Sequence, residues 1–250
     1  MEFSGKETDS LSYKLRDIQL DVQAYELHDG GELQQFQSED ESDELVLHLL
    51  RVCQLPNKSF EGLWDSLIFD DAIAPRLLHF TSRMMSLMRH PAMGSTFTNW
   101  NRLLLLHGPP GSGKSTLCRA LAQKLAIRLG NNFTQSRFVE VASHSLLSKW
   151  FGESAKLVNT MFQQIFTIAS DESTLVCVLI DEVESLAGSR EKAVSGNEVA
   201  DALRVTNQLL TALDKLRHKS NVMVFCTTNL LSAIVSFCRF HRSEVFLIPT

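Results

Sequence analysis

The chain reads as an α/β protein built on a parallel sheet flanked by helices, and two observations predict it. From Leu103 onward, short apolar runs alternate with helical patterns. That order lays parallel strands side by side with crossover helices on their faces. The first apolar run leads into Gly108-Pro109-Pro110-Gly111-Ser112-Gly113-Lys114-Ser115-Thr116, which fits the G-x-x-x-x-G-K-[ST] phosphate-binding loop at every position. Glycines at 108, 111 and 113 let the backbone curl so that consecutive N–H groups meet one anion. Lys114 reaches the β- and γ-phosphates as a point charge, and Ser115 offers its hydroxyl to Mg²⁺. A plain Gly/Pro turn is the alternative, and the strand-loop-helix context favours a nucleoside triphosphate.

Residues 1–55 differ in character from the rest. Ile18 to Tyr25 alternates apolar and polar residues, as a half-buried strand does. An Asp29-Gly30-Gly31 turn follows, then the acidic run Glu39 to Glu44, then a helix or strand around Leu45–Leu50. This stretch is too short to bury a core alone, so residues 1–55 are read as part of an N-terminal domain, with Pro56–Phe60 as the junction. The first 60 residues carry 13 acidic and 5 basic side chains; the remainder carries 16 and 19. The acidic run reads as a solvated loop, with a docking surface as the alternative. Neither part is basic enough to argue for duplex DNA as the main ligand.

The strands expected in order are Leu103–Leu106, Phe138–Val141, Leu175–Ile180 and Val222–Thr227. The third is apolar throughout, as a central strand covered on both faces should be. Helices are expected over Ser115–Arg128, Lys156–Ile168 and Val199–Leu216. The last gathers Val199, Ala202, Leu203, Leu209, Leu210, Leu213 and Leu216 on one face. Five cysteines (53, 118, 177, 226 and 238) show no C-x-x-C pair. Cys177 and Cys226 lie in strand-like runs and read as reduced core residues. No run approaches the ~18 apolar residues of a membrane span, and the N-terminus has no apolar signal core; a soluble intracellular protein is expected.

The run Leu175 to Ile180 ends in Asp181-Glu182. An acid at the end of a strand beside a phosphate loop can hold Mg²⁺, largely through water, and the next acid can act as general base toward water. Asp181 is therefore a metal candidate with Ser115, and Glu182 a catalytic one. Two solvent-facing acids closing a strand are the alternative. Asn229, after Cys226-Thr227-Thr228, can orient that water; an Asn capping a strand-to-helix turn is compatible with the same residue.

Glu182 and Asn229 on adjacent strands resemble the arrangement of AAA+ ATPases, so the fold expected is a P-loop AAA+ sheet with ATP and Mg²⁺ as cofactors. Ser148-Lys149-Trp150-Phe151-Gly152-Glu153-Ser154 resembles the first pore loop of AAA proteins. The resemblance implies that Lys149, Trp150 and Phe151 face a ring's channel and grip a substrate chain, where aromatic rings hold diverse segments by apolar contact. A Trp-Phe pair in a core is the alternative. Phe60-Glu61-Gly62-Leu63-Trp64-Asp65-Ser66-Leu67-Ile68-Phe69-Asp70, Trp100-Asn101-Arg102, Ser143 to Phe151, Ile180 to Leu186 and Ala202 to Asn207 look like the pachytene checkpoint protein family, also called thyroid hormone receptor interactor proteins. The resemblance covers residues 55–234 continuously and 17–50 weakly.

It implies a homohexameric ATPase that remodels HORMA-domain proteins, with an adaptor, in meiotic recombination, synapsis and spindle checkpoint control. Nuclear and cytoplasmic localisation, chromosome-associated in meiosis, comes with it. No membrane and no sequence-specific nucleic acid are expected as partners. The segment Phe60–Asp70 lies where AAA proteins contact adenine, which implies a base-binding role there. Residues 56–234 are then the large ATPase subdomain. After Ile234 the resemblance stops, the helical lid and its sensor arginine are not found, and residues 235–250 read as an atypical tail from a retained intron in a truncated chain. A fifth strand at Val245–Ile248 is the alternative. Two competing functions remain: a nucleotide- or partner-binding form without hydrolysis, and a clamp-loader-like ATPase acting on DNA.

Overall fold

Among the described residues, six strands form one sheet in the order β1-β3-β4-β5-β2-β6. They are β1 (Leu50–Leu55), β2 (Leu103–His107), β3 (Gln135–Val141), β4 (Thr174–Ile180), β5 (Val222–Thr228) and β6 (Glu244–Leu247). The computed structural model describes residues 22–29, 50–69, 71–88, 102–142, 154–184, 196–216, 218–230 and 244–247. Five strands run parallel, and β1 lies antiparallel along β3 at one edge. The helices are α1 (Leu63–Ser66), α2 (Ile73–Met88), α3 (Lys114–Arg128), α4 (Ser154–Ile168) and α5 (Gly196–Leu216).

Every residue of β4 and β5 is buried, because helices cover both faces of the sheet and alternate side chains point to opposite layers. One layer joins Val139, Val176, Val178, Ile180, Val224 and Cys226 to Met161, Phe162 and Ile165 of α4 and Leu209, Leu213 and Leu216 of α5. The other joins Leu104, Leu106, Phe138, Leu179 and Phe225 to Leu77 and Met85 of α2 and Leu117, Leu121 and Leu125 of α3. Fully burying one such side chain stabilises the fold by roughly 1.5–3 kcal/mol. Cys118, Cys177 and Cys226 are free and buried in these layers. Burial pushes all three thiols up, Cys177 to about 12.

Sequence and structure part company at both ends. β1 is a strand of the main sheet, with Leu50 paired to Val141 and Leu55 to Ser136, so the expected boundary at residue 55 falls at the end of a sheet element. Leu50 and Val52 are buried while Arg51 is exposed, the alternation of a sheet edge. Residues 22–25, the described part of the expected strand at 18–25, have no regular structure, and Val22 is 86% exposed. The tail also departs from expectation: Glu244–Leu247 pairs in parallel with β2, Leu104 opposite Glu244 through His107 opposite Leu247. The fifth-strand alternative describes this segment, because Val245-Phe246-Leu247 is apolar enough to close the sheet beside β2. The acidic run at 39–44 lies outside the described residues.

Residues 22–29 are tied to the sheet's helical layer. His28 donates its N–H to the Pro56 carbonyl at 2.8 Å and accepts from Lys58 N–H at 3.1 Å. Next to it, the buried side chain of Gln123 in α3 accepts the Asn57 N–H at 2.9 Å and donates to the Asn57 carbonyl at 3.0 Å. Gln23 donates to the carbonyl of Arg128 at the other end of α3.

Candidate functional site

The phosphate loop runs from β2 to α3 as the motif requires. Gly111 and Gly113 hold φ of 79° and 81°, a left-handed backbone that glycine adopts freely. At Gly113 a Cβ would also meet the Leu67 side chain at 3.0 Å, so both backbone and space demand glycine there. Gly108 donates to the Thr228 carbonyl at 3.4 Å, which ties the start of the loop to the end of β5. Pro109 is half-buried, Pro110 is exposed, and Ser112 donates its N–H to the Pro109 carbonyl. The first N–H groups of α3, from Lys114 through Thr116, open on the loop without intrahelical carbonyls to take them.

The Lys114 ammonium is buried and donates to the carbonyls of Gly108 at 2.9 Å and Pro109 at 2.7 Å, and more weakly to the Ser112 hydroxyl. Burial lowers its pKa, and the carboxylates of Glu184, Asp181 and Glu182 oppose that shift. Cation and acids thus gather at the carboxyl ends of the parallel strands, where open α/β sheets bind ligands.

Ser115 Oγ lies 2.8 Å from both oxygens of Asp181, so the two predicted metal-holding residues stand together although 66 positions separate them. Thr227 Oγ1 donates to Asp181 and accepts the Glu182 N–H at 2.9 Å. That second bond holds Glu182 at φ 52°, a left-handed conformation that a non-glycine residue adopts only at a cost of about 1–3 kcal/mol. Strain of this kind, stored at an acid one residue beyond Asp181, fits a catalytic position. Asn229, the other expected catalytic residue, follows β5 on the adjacent strand, and its N–H is bound by Glu184 Oε1 at 2.9 Å.

The donor set suits a nucleotide with Mg²⁺. The glycine cradle admits an anion, one buried ammonium lies beside it, and a hydroxyl and a carboxylate, oxygen donors of the kind a hard cation takes, stand together. Behind this set, Arg119 pairs with Glu140; burial works against the guanidinium charge, and the Glu140 pairing outweighs it, holding the pKa above its ordinary value. The segment expected to meet adenine lies against the loop. Phe60 stacks edge-on against Phe138 at 5.2 Å, Trp64 and Leu67 pack on the α3 layer, and Ile68 is 93% exposed. Lys149, Trp150 and Phe151 lie outside the described residues. Sequence reasoning missed Thr227 and Glu184. Thr227 sat unremarked in an apolar run, and Glu184 stood two positions beyond the acid pair with no local pattern to single it out.

Comparison with known proteins agrees with the fold. A family model described as "ATPase family associated with various cellular activities (AAA)" matches residues 104–248, from β2 through β6. The chain is similar to the pachytene checkpoint protein 2 homolog of Oryza sativa subsp. indica, 43% identical over 213 residues, which covers 85% of this chain and 44% of the rice protein. It is similar to the structure of C. elegans PCH-2, with 35% identity and a TM-score of 0.69, covering 91% of this chain and 52% of that one. A chain of the E. coli MS115-1 HORMA:CdnC:Trip13 complex shares the fold at 20% identity and a TM-score of 0.64, over 81% of this chain and 70% of that one. The chain thus spans about half the length, or less, of the two pachytene checkpoint relatives.

Proposed function

The chain belongs to the AAA family of ATPases, and from that premise we propose that it binds ATP with Mg²⁺ and serves ATP-driven remodelling of HORMA-domain proteins in meiotic and spindle checkpoint control. The single observation that carries the nucleotide part is the meeting of Ser115 with both oxygens of Asp181 beside Lys114. The remodelling part rests on similarity to pachytene checkpoint protein 2 homologs. A structural neighbour was itself solved in a complex with a HORMA protein. An adaptor and a homohexameric ring belong to the same proposal, as do Lys149, Trp150 and Phe151 as the grip on substrate.

In this proposal each residue has a part. Lys114 and the N–H groups from Gly111 to Thr116 bind the phosphates, and the segment Phe60–Asp70 contacts the base. Ser115 and Asp181 would hold Mg²⁺, which when bound neutralises charge on the phosphate oxygens. Glu182 takes a proton from water as general base, and Asn229 orients that water.

Lys114→Ala tests the nucleotide reading. Loss of a charge-assisted hydrogen bond of ~1.5–3 kcal/mol lowers affinity about tenfold or more. The measurement is titration with a fluorescent ATP analogue, and equal affinity in wild type and variant refutes the reading. Nucleotide binding with no phosphate release under any assembly condition favours the alternative of a nucleotide-dependent partner-binding protein.

A further inference from the structure

We propose that Glu184 is a positioning residue: it clamps the backbone of Asn229 so that the Asn229 side chain is set toward the phosphate loop. The proposal rests on the nucleotide reading above and extends it to a residue with no role there. Glu184 stands just past β4 and Asn229 just past β5, and the Glu184 Oε1 to Asn229 N–H bond at 2.9 Å joins residues 45 positions apart. The end of β5 meets the phosphate loop, where Gly108 donates to the Thr228 carbonyl. Of the three carboxylates acting on the Lys114 ammonium, Glu184 contributes most. Its charge therefore acts on the phosphate-loop lysine while its Oε1 binds the neighbouring strand.

A second observation separates this contact from ordinary turn chemistry. Among the described residues, Glu184 Oε2 and Asn229 Oδ1 are both buried without a hydrogen-bond partner. A bare buried acceptor costs free energy, and native folds keep such groups few. Here two fall on the same pair, at the mouth of the site, where a cost tolerated for function belongs. Pinning the Asn229 N–H fixes its peptide plane, and with it the direction from which the side chain leaves the strand. Thr228 adds to the restraint, because its hydroxyl accepts the N–H of Leu230 at 3.1 Å. Asn229 is thus held from both sides.

The test uses the 250-residue chain in two arms. In the first, without nucleotide, amide hydrogen exchange is followed across residues 227–230. Glu184→Ala speeds exchange at Asn229 about tenfold or more, whereas Glu184→Gln, whose side-chain carbonyl still accepts the N–H, stays near wild type. Unchanged exchange in Glu184→Ala overturns the proposal. In the second arm, the affinities for ATP and ADP are measured for Glu184→Ala, Asn229→Ala and the double variant. The preference for ATP over ADP falls about tenfold in each single variant, and the double variant falls no further. Equal loss of ATP and ADP binding, together with a lowered melting temperature, would mark Glu184 as structural only and overturn the proposal. A wild-type chain that binds neither nucleotide overturns the proposed function instead, and the exchange arm still decides whether Glu184 holds Asn229.

Discussion

Thr227→Val isolates the hydroxyl that links Asp181 and Glu182. Thr227 is wholly buried, and valine keeps its shape while removing both hydrogen bonds. The bond to the Asp181 carboxylate has a charged acceptor and contributes about 1.5–3 kcal/mol. The Glu182 N–H, bound at 2.9 Å, would be left without its acceptor at a cost of about 1–3 kcal/mol. Two effects offset this. Asp181 keeps its bonds from Ser115, and the added methyl gains ~0.8 kcal/mol by burial. The balance is a loss of about 2–4 kcal/mol. For a chain of this size each kcal/mol lowers the melting temperature by ~2–4 °C, so the variant melts roughly 4–16 °C below wild type. Thermal and urea denaturation followed by far-ultraviolet circular dichroism, without nucleotide, measures it. Thr227→Ser keeps the hydroxyl and recovers most of the loss. A valine variant within 1 kcal/mol of wild type, or no more stable with serine, refutes the claim that this hydroxyl holds the acid pair in place.

Two further outcomes follow from the site and the core. Glu182→Gln keeps the side chain's shape and removes its basicity; in an assembled protein that turns over ATP, hydrolysis falls ~10²–10⁴-fold while ATP binding survives, and single-turnover phosphate release decides it. Cys177, with its thiol raised to about 12 against an ordinary 9.0, makes stability depend on alkaline pH. Its contribution is complete below about pH 9 and drains away as pH rises toward 12, because the unfolded chain ionises first. The urea midpoint of wild type therefore falls more steeply above pH 9 than that of Cys177→Val, and parallel slopes would show that this thiol is not protected by burial.

How far the sequence could be read depended on whether a feature is local. The phosphate loop and strands β2, β4 and β5 are short-range patterns, an apolar run followed by glycines or acids, and the structure places them within a residue or two of expectation. β3 begins at Gln135, three residues earlier than its apolar run, because Ser136 and Arg137 are polar yet pair on both sides with β1 and β4, and Gln135 pairs with β4. The edge strand β1 escaped because Cys53 and Gln54 weaken its alternation. β6 was set aside because the preceding residues fit no familiar pattern, although three apolar residues were enough to pair with β2. Ser115, Asp181 and Glu182 were legible because their types match their neighbours' chemistry. Thr227, Glu184 and Gln123 were not, since each acts on a residue 45 or more positions away, and no periodicity carries that information.

The grip of Gln123 on Asn57 has a mechanical side. A side-chain amide bonded to both the N–H and the C=O of one residue works as a rung between two backbones that share no strand. A pull on residues 22–29 passes through His28 to Pro56 and Lys58, crosses that rung, and arrives in the middle of the helix whose first turn is the phosphate loop. The remainder passes along the backbone into Leu55, the last residue of β1. The α3 helix is then a stiff lever with Gly113 at its tip, and the Gln23 bond to Arg128 gives it a second attachment at the far end. Residues 22–29 are thus fastened by two routes, at Gln123 and at Arg128, to the helix that begins with Lys114 and Ser115.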